Sequence, residues 1–123
     1  MTELFANTGR GALPLPSDGS AVLRTGREWR ECGTPGFLIQ PLLEDEDAGV
    51  RTWLMKIEPG AFAGVHSHAE VEQVYVLDGE FYDDDASYGA GDYVVRAAGT
   101  EHVSGSREGA TVLLAYSRAE HAA

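Results

Sequence analysis

No stretch of this chain keeps a helical period for three turns. Glycines cut it into short apolar runs, several of which alternate with a period of two. Such a chain folds as strands and turns, because alternation sorts side chains onto the two faces of a sheet and glycine supplies the backbone angles of tight turns. Val50 to Ile57 is the clearest run: Arg51, Trp53, Met55 and Ile57 point one way and Thr52, Leu54 and Lys56 the other. Phe37 to Leu43 precedes it, interrupted by Pro41 as at a sheet edge or a bulge. The acidic stretch Glu44 to Asp47 with Ala48-Gly49, read as a solvated loop, closes these two runs into a hairpin. A second hairpin is expected from Gln73–Leu77 and Glu80–Asp83, turning on Asp78-Gly79 as a type I′ turn. Asp92–Arg96, Glu101–Ser104 and Ala110–Tyr116 complete an all-β domain, a sandwich or small barrel.

Charge narrows the partners. Nine Lys and Arg stand against 20 Asp and Glu, a formal net charge of −11. Nucleic acids and anionic membranes need a basic surface, so both are excluded as expected partners. No apolar run reaches the ~18 residues of a spanning helix, and no basic-then-apolar leader follows Met1. Cys32 is the one cysteine, so no internal disulfide or thiolate cluster forms, which fits a cytoplasmic protein. Nothing marks Cys32 as activated, and it reads as a small core residue. Residues 1–28, broken by Gly9, Gly11, Pro14, Pro16 and Gly19, read as an arm. Its apolar pair Leu13 and Leu15 would lie on the barrel or on a partner subunit. Residues 29–116 form the domain and 117–123 a tail, in which His121 is not expected to bind metal.

Three of the four histidines fall where one metal could collect them. His66 and His68 are two apart and share a strand face. Glu72 returns to that face if the chain stays extended after a bend at Ala69-Glu70, and His102 arrives from a later strand. Neutral imidazoles with one carboxylate suit a single divalent transition metal, and Fe, Mn, Ni, Co and Zn all remain open. With Glu72 facing inward, Val74 and Val76 face inward too, while Tyr75 and Leu77 face out. Trp53, Met55, Phe62 and Tyr116 are further candidates for the pocket lining, and Arg51 and Tyr116 for its mouth. A mostly apolar pocket suits a small organic molecule.

The glycine frame around these residues carries a resemblance. Gly60, five residues, His66, one residue, His68, three residues, Glu72, six residues and Gly79 match the first motif of the cupin superfamily. Gly91, Ala97, Gly99, His102 and Ser106 follow the second, with Ala97 and Ser106 where that motif has proline and asparagine. More narrowly, Trp29, Pro35-Gly36, Pro59-Gly60, Val74 to Gly79 and Tyr88 to Tyr93 resemble the ChrR-like cupins. That group includes domains of zinc anti-sigma factors and stand-alone proteins similar to diketone-cleaving dioxygenases. The resemblance implies a double-stranded β-helix, a metal held by His66, His68, Glu72 and His102, and a homodimer. Two functions follow as expectations. One is an oxygenase-type enzyme acting on a small dicarbonyl or phenolic molecule. The other is a metal-loaded cupin that binds or senses a small ligand or oxidant without turnover. The anti-sigma form is disfavoured, because the segment ahead of the barrel is too short for a zinc-binding helical domain and lacks its cysteine–histidine set.

Overall fold

The computed structural model describes residues 11–24 and 26–119. His121, the first ten residues of the arm and the end of the tail lie outside them. Among the described residues all nine regular elements are strands: β1 Arg30–Glu31, β2 Phe37–Asp45, β3 Val50–Ile57, β4 Phe62–His66, β5 Glu70–Tyr82, β6 Ser87–Gly89, β7 Tyr93–Arg96, β8 His102–Gly105 and β9 Ala110–Arg118. They form one curled antiparallel sheet in the order β1-β2-β3-β9-β5-β8-β4, with β6 and β7 also pairing with β5. This is the double-stranded β-helix expected from the resemblance. Among the described residues no helix is long and apolar enough to cross a membrane.

Alternation sets the core. On β3 the inward set is Arg51, Trp53, Met55 and Ile57, all buried, and on β5 it is Glu72, Val74 and Val76. Tyr75 and Leu77 face outward. Phe37, Ile39, Val112, Leu114 and Tyr116 fill the space between them. β2 and β3 pair as a hairpin, and their register shifts between Pro41 and Leu43, so the proline sits next to a bulge. The acidic turn is closed locally, Asp45 Oδ1 accepting from the Ala48 N–H at 2.9 Å.

The hairpin expected at Asp78-Gly79 does not form. β5 runs straight through that dipeptide for 13 residues. Asp78 pairs with Thr111 and Gly79 with Ala110, beyond a bulge after Val76. Gly79 does take a positive φ, 78°. It does so to let two strands approach, because a Cβ there would lie 2.1 Å from the Gly109 carbonyl oxygen. A left-handed glycine serves a bulge as well as a turn, so the dipeptide alone does not separate the two. The chain reverses five residues later. There Asp83 Oδ1 accepts from the N–H groups of Asp85 and Ala86, an Asx-type turn into β6.

The described part of the arm lies along its own barrel. Leu13 bridges Leu43 in parallel, its N–H donating to Leu42 O and its carbonyl accepting from Glu44 N–H, both at 2.9 Å. Arg27 clamps the segment, donating through Nη1 to Pro41 O and through Nη2 to Gly11 O. Leu15 leaves its side chain exposed.

Candidate metal centre

β4 and β8 present two of the histidines to each other. His66 and His102 are direct cross-strand partners, with ring centroids 4.4 Å apart. His68 follows β4 in the loop before β5, where its carbonyl accepts from the Gly99 N–H at 2.7 Å. That bond ties the loop carrying His68 to the turn that precedes His102. The ring of His68 lies 5.4 Å from that of His66 and 6.1 Å from that of His102. One ligating nitrogen from each of the three falls within 4.8 Å of the others, and all three side chains are buried.

The turn before His102 forms without the motif proline. Thr100 donates its N–H and its hydroxyl to Ala97 O, and Gly99 adopts φ 82°. Ser106, in place of the motif asparagine, is buried; its hydroxyl donates to Glu80 O and accepts from the Gly109 N–H. Both departures are thus absorbed in local hydrogen bonds, and the turn without the proline still touches His68 and His102 through Gly99 N–H and Thr100 O.

The donor set fits a divalent transition metal. His66 Nδ1 is 2.6 Å from Gly64 O and His102 Nδ1 is 3.2 Å from Thr100 O. Each carbonyl accepts a hydrogen bond from Nδ1–H and leaves Nε2 as the metal-facing lone pair. Burial pushes the His68 pKa down to about 4, aided by the charges of Arg51, His66 and His102 and opposed by Glu72. Burial lowers His102 as well, against the pull of Glu72. Both imidazoles are therefore neutral at pH 7, the form that binds a metal.

Glu72 lies against this trio. Its Oε2 is 3.8 Å from His68 Nε2 and its Oε1 3.5 Å from His102 Nε2. Oε1 also accepts from Arg96 Nε at 3.0 Å. The sheet register explains the company Glu72 keeps. Arg51 on β3 pairs with Tyr116 on β9, Tyr116 with Glu72 on β5, and Glu72 with Arg96 on β7. Four inward polar side chains thus cross four strands in one row. Arg51 stacks 3.9 Å over the Tyr116 ring and pairs with Glu70 at 3.0 Å. Arg96 Nη1 donates to Asp83 Oδ2 at 2.7 Å, and Tyr88 OH donates to the same carboxylate. Burial raises the Asp83 pKa, but Arg96, two backbone N–H groups and Tyr88 together hold it below the ordinary carboxylate value. Tyr116 is fully buried, and burial with the nearby Glu72 charge lifts its pKa well above that of a free phenol.

A cavity of about 20 Å³ opens beside these groups, lined by His66, Glu72, Arg96, Met55, Val74 and Tyr116 among others. Space of that size takes one or two water-sized groups. Of the other residues expected to line it, Trp53 and Val76 lie in the core and away from it. Trp53 donates to Glu44 Oε2 at 2.8 Å. Phe62 is on the surface, 55% exposed. Arg96 and Asp83 were not anticipated, although the alternation of β7 places Val94 and Arg96 inward together and a buried cation demands an acid.

Comparison with known proteins bears on what this arrangement is. The family model of the ChrR cupin-like domain matches residues 19–120. The chain belongs to the ChrR cupin-like family. Similar solved folds include an RmlC-like cupin from Shewanella frigidimarina, with 21% identity and TM-score 0.70 over 85% of this chain and 95% of that one. A predicted oxalate decarboxylase from Thermotoga maritima has 27% identity and TM-score 0.67 over 80% of this cupin and all of that chain. The third is a chain from the complex of Rhodobacter sphaeroides SigE with the anti-sigma ChrR, with 27% identity and TM-score 0.62 over 74% of this cupin. This cupin spans 48% of that chain's length. No curated protein matches the sequence.

Proposed function

We propose that this cupin is a metal-dependent enzyme of the oxygenase type, acting on a small dicarbonyl or phenolic molecule. The observation that carries the reading is the convergence of three buried imidazole nitrogens within 4.8 Å of one another. His66, His68 and His102 would hold the ion, with Glu72 as the fourth ligand. A divalent transition metal there would supply Lewis acidity and, where redox-active, a place to activate dioxygen.

The chain's own groups have definable tasks. Gly64 O and Thr100 O fix the tautomers of His66 and His102. Arg96 holds the Glu72 carboxylate in one orientation, and Asp83 holds Arg96. Apolar walls from Met55, Val74, Val112 and Leu114 exclude bulk water from the cavity. The cavity as it stands holds one or two water-sized groups, so either substrate would have to displace core side chains. A second reading, a metal-loaded cupin that binds a small ligand or oxidant without turnover, is favoured by the same confined volume. Purification without oxygen, loading with Fe(II) and measurement of oxygen uptake across β-diketones and phenols separates the two. Uptake with one of them supports the enzyme; tight binding with no uptake across the panel supports the sensor.

The protein is further proposed to be a cytoplasmic homodimer. The lone Cys32 supports the compartment. Exposed Tyr75, Leu77, Tyr93 and Val95 on the outer faces of β5 and β7 support a second copy.

A further inference from the structure

His66, His68 and His102 are only 3–4% exposed, so an ion reaches them only when part of the barrel wall gives way. Three connections close the end of the barrel at which β5 begins. They are the β2–β3 turn, the β4–β5 loop with His68, and the β7–β8 turn before His102. Their anchoring is unequal. The β2–β3 turn is held to β9 by Arg118, whose N–H donates to Gly49 O and whose Nη2 donates to Glu46 O, both at 2.6 Å. The β7–β8 turn, Ala97 to Glu101, is exposed at all five residues and gives no side chain to the core.

The bonds that shape this turn are its own, from the Thr100 N–H and hydroxyl to Ala97 O. The bond between His102 Nδ1 and Thr100 O joins residues two apart, so it travels with the turn. One backbone hydrogen bond, Gly99 N–H to His68 O at 2.7 Å, joins the turn to the β4–β5 loop, and each of these two segments leads to a histidine of the centre. Against competition from water such a bond favours the closed form by about two- to tenfold. It therefore opens far more readily than the long ladders of β9 with β3 and β5.

We propose that the Gly99–His68 bond is the latch of a gate. Its opening parts the His68 loop from the turn before His102 and lets the ion in or out, and the stiffness of that turn sets how often it opens. The inference rests on the metal-centre reading above and adds to it the route and the control of exchange. A gate lies on the path and in neither end state, so it changes entry and exit by the same factor and leaves affinity alone.

Two substitutions move the gate in opposite directions. The Ala97 N–H finds no acceptor among the described residues, so proline there removes no bond while fixing φ. Arg96 before it is extended, paired with Glu72, as a residue preceding proline must be. Thr100→Val keeps the side-chain shape and loses the hydroxyl bond to Ala97 O.

The test is stopped-flow uptake of Zn(II) and its release to a chromophoric chelator, with equilibrium affinity measured separately. Ala97→Pro slows uptake and release together by about two- to fivefold. Thr100→Val speeds both by about two- to tenfold, and both variants keep the parent's dissociation constant. Rates that stay put, shift in the same direction in the two variants, or follow a changed affinity overturn the gate. Amide hydrogen exchange at Gly99 in zinc-free protein reads the latch without metal. It runs ahead of exchange in β9, is slowed in Ala97→Pro and is quickened in Thr100→Val; exchange at Gly99 in step with β9 overturns the gate as well. Should one variant not fold, the other and the parent's Gly99 exchange carry the test. Failure of the parent to take up zinc, with Gly99 exchanging ahead of β9, instead overturns the metal-centre reading.

Discussion

At the scale of single residues, the barrel interior is organised by charges that cannot stand alone. Arg96 on β7 balances Glu72 on β5 and Asp83 in the turn that follows it. Arg96→Met leaves two buried carboxylates without their cation and should cost about 3–5 kcal/mol, read as a lowered urea midpoint. Asp83 carries a pH signature. Its folded-state pKa lies below the ordinary carboxylate value, so its contribution to stability is present at neutral pH. That contribution is lost as pH falls below about 4, when the folded state must also take up the proton. Asp83→Asn should therefore be less stable than the parent at pH 7, with a shallower loss on acidification, as followed by urea titrations at several pH values. His68→Ala removes one of three converging imidazoles and should abolish stoichiometric metal binding in elemental analysis of the desalted protein. Retention of a full equivalent would show that other groups hold the ion.

At the scale of elements, β5 does most of the positioning. One 13-residue strand carries Glu72 opposite both Arg96 and Tyr116, then continues past Gly79 to meet β6 and β8. The positive φ and the approach to Gly109 at this glycine let the strand change neighbours without a break. Gly79→Ala adds about 1–3 kcal/mol of backbone strain and a clash with the Gly109 carbonyl. It should lower the denaturation midpoint more than Gly91→Ala, where a Cβ meets nothing within 4 Å. Equal midpoints for the two variants would show that the close approach does not matter to the fold.

At the scale of the molecule, a metal in this centre would be linked to the fold. The three imidazoles that would hold it come from β4, the β4–β5 loop and β8, segments that only the folded chain brings together. An ion that binds the native state alone stabilises it by about 2.7 kcal/mol at a hundred times its dissociation constant. For a domain of this size that raises the melting temperature by on the order of 10 °C. The shift should vanish on chelation and in His68→Ala, measured by calorimetry or circular dichroism. The dimer proposal is checked by sedimentation equilibrium at micromolar concentration, where twice the 13.2 kDa chain mass is expected and a single-chain mass would overturn it.

Local pattern alone determined a good deal of this protein. Strict alternation on β3 and β5 assigns Trp53, Met55, Val74 and Val76 to the inside, because a strand offers only two faces and burial chooses the apolar one. The spacing of His66, His68 and His102 within a glycine frame points to one centre. Other features depend on which strands become neighbours, and spacing along the chain does not encode that. The Asp78-Gly79 pair has the chemistry of a tight turn, yet the partner strand β9 holds it extended as a bulge. Arg96 alternates inward like any residue of β7. Its pairing with Glu72 and its bond to Asp83 follow only once β7 lies beside β5. The size of the cavity, too, is a property of packed side chains from distant strands. The reason is physical: periodicity is a local constraint on one strand, whereas register and charge pairing are settled by the free energy of the whole sheet closing on itself.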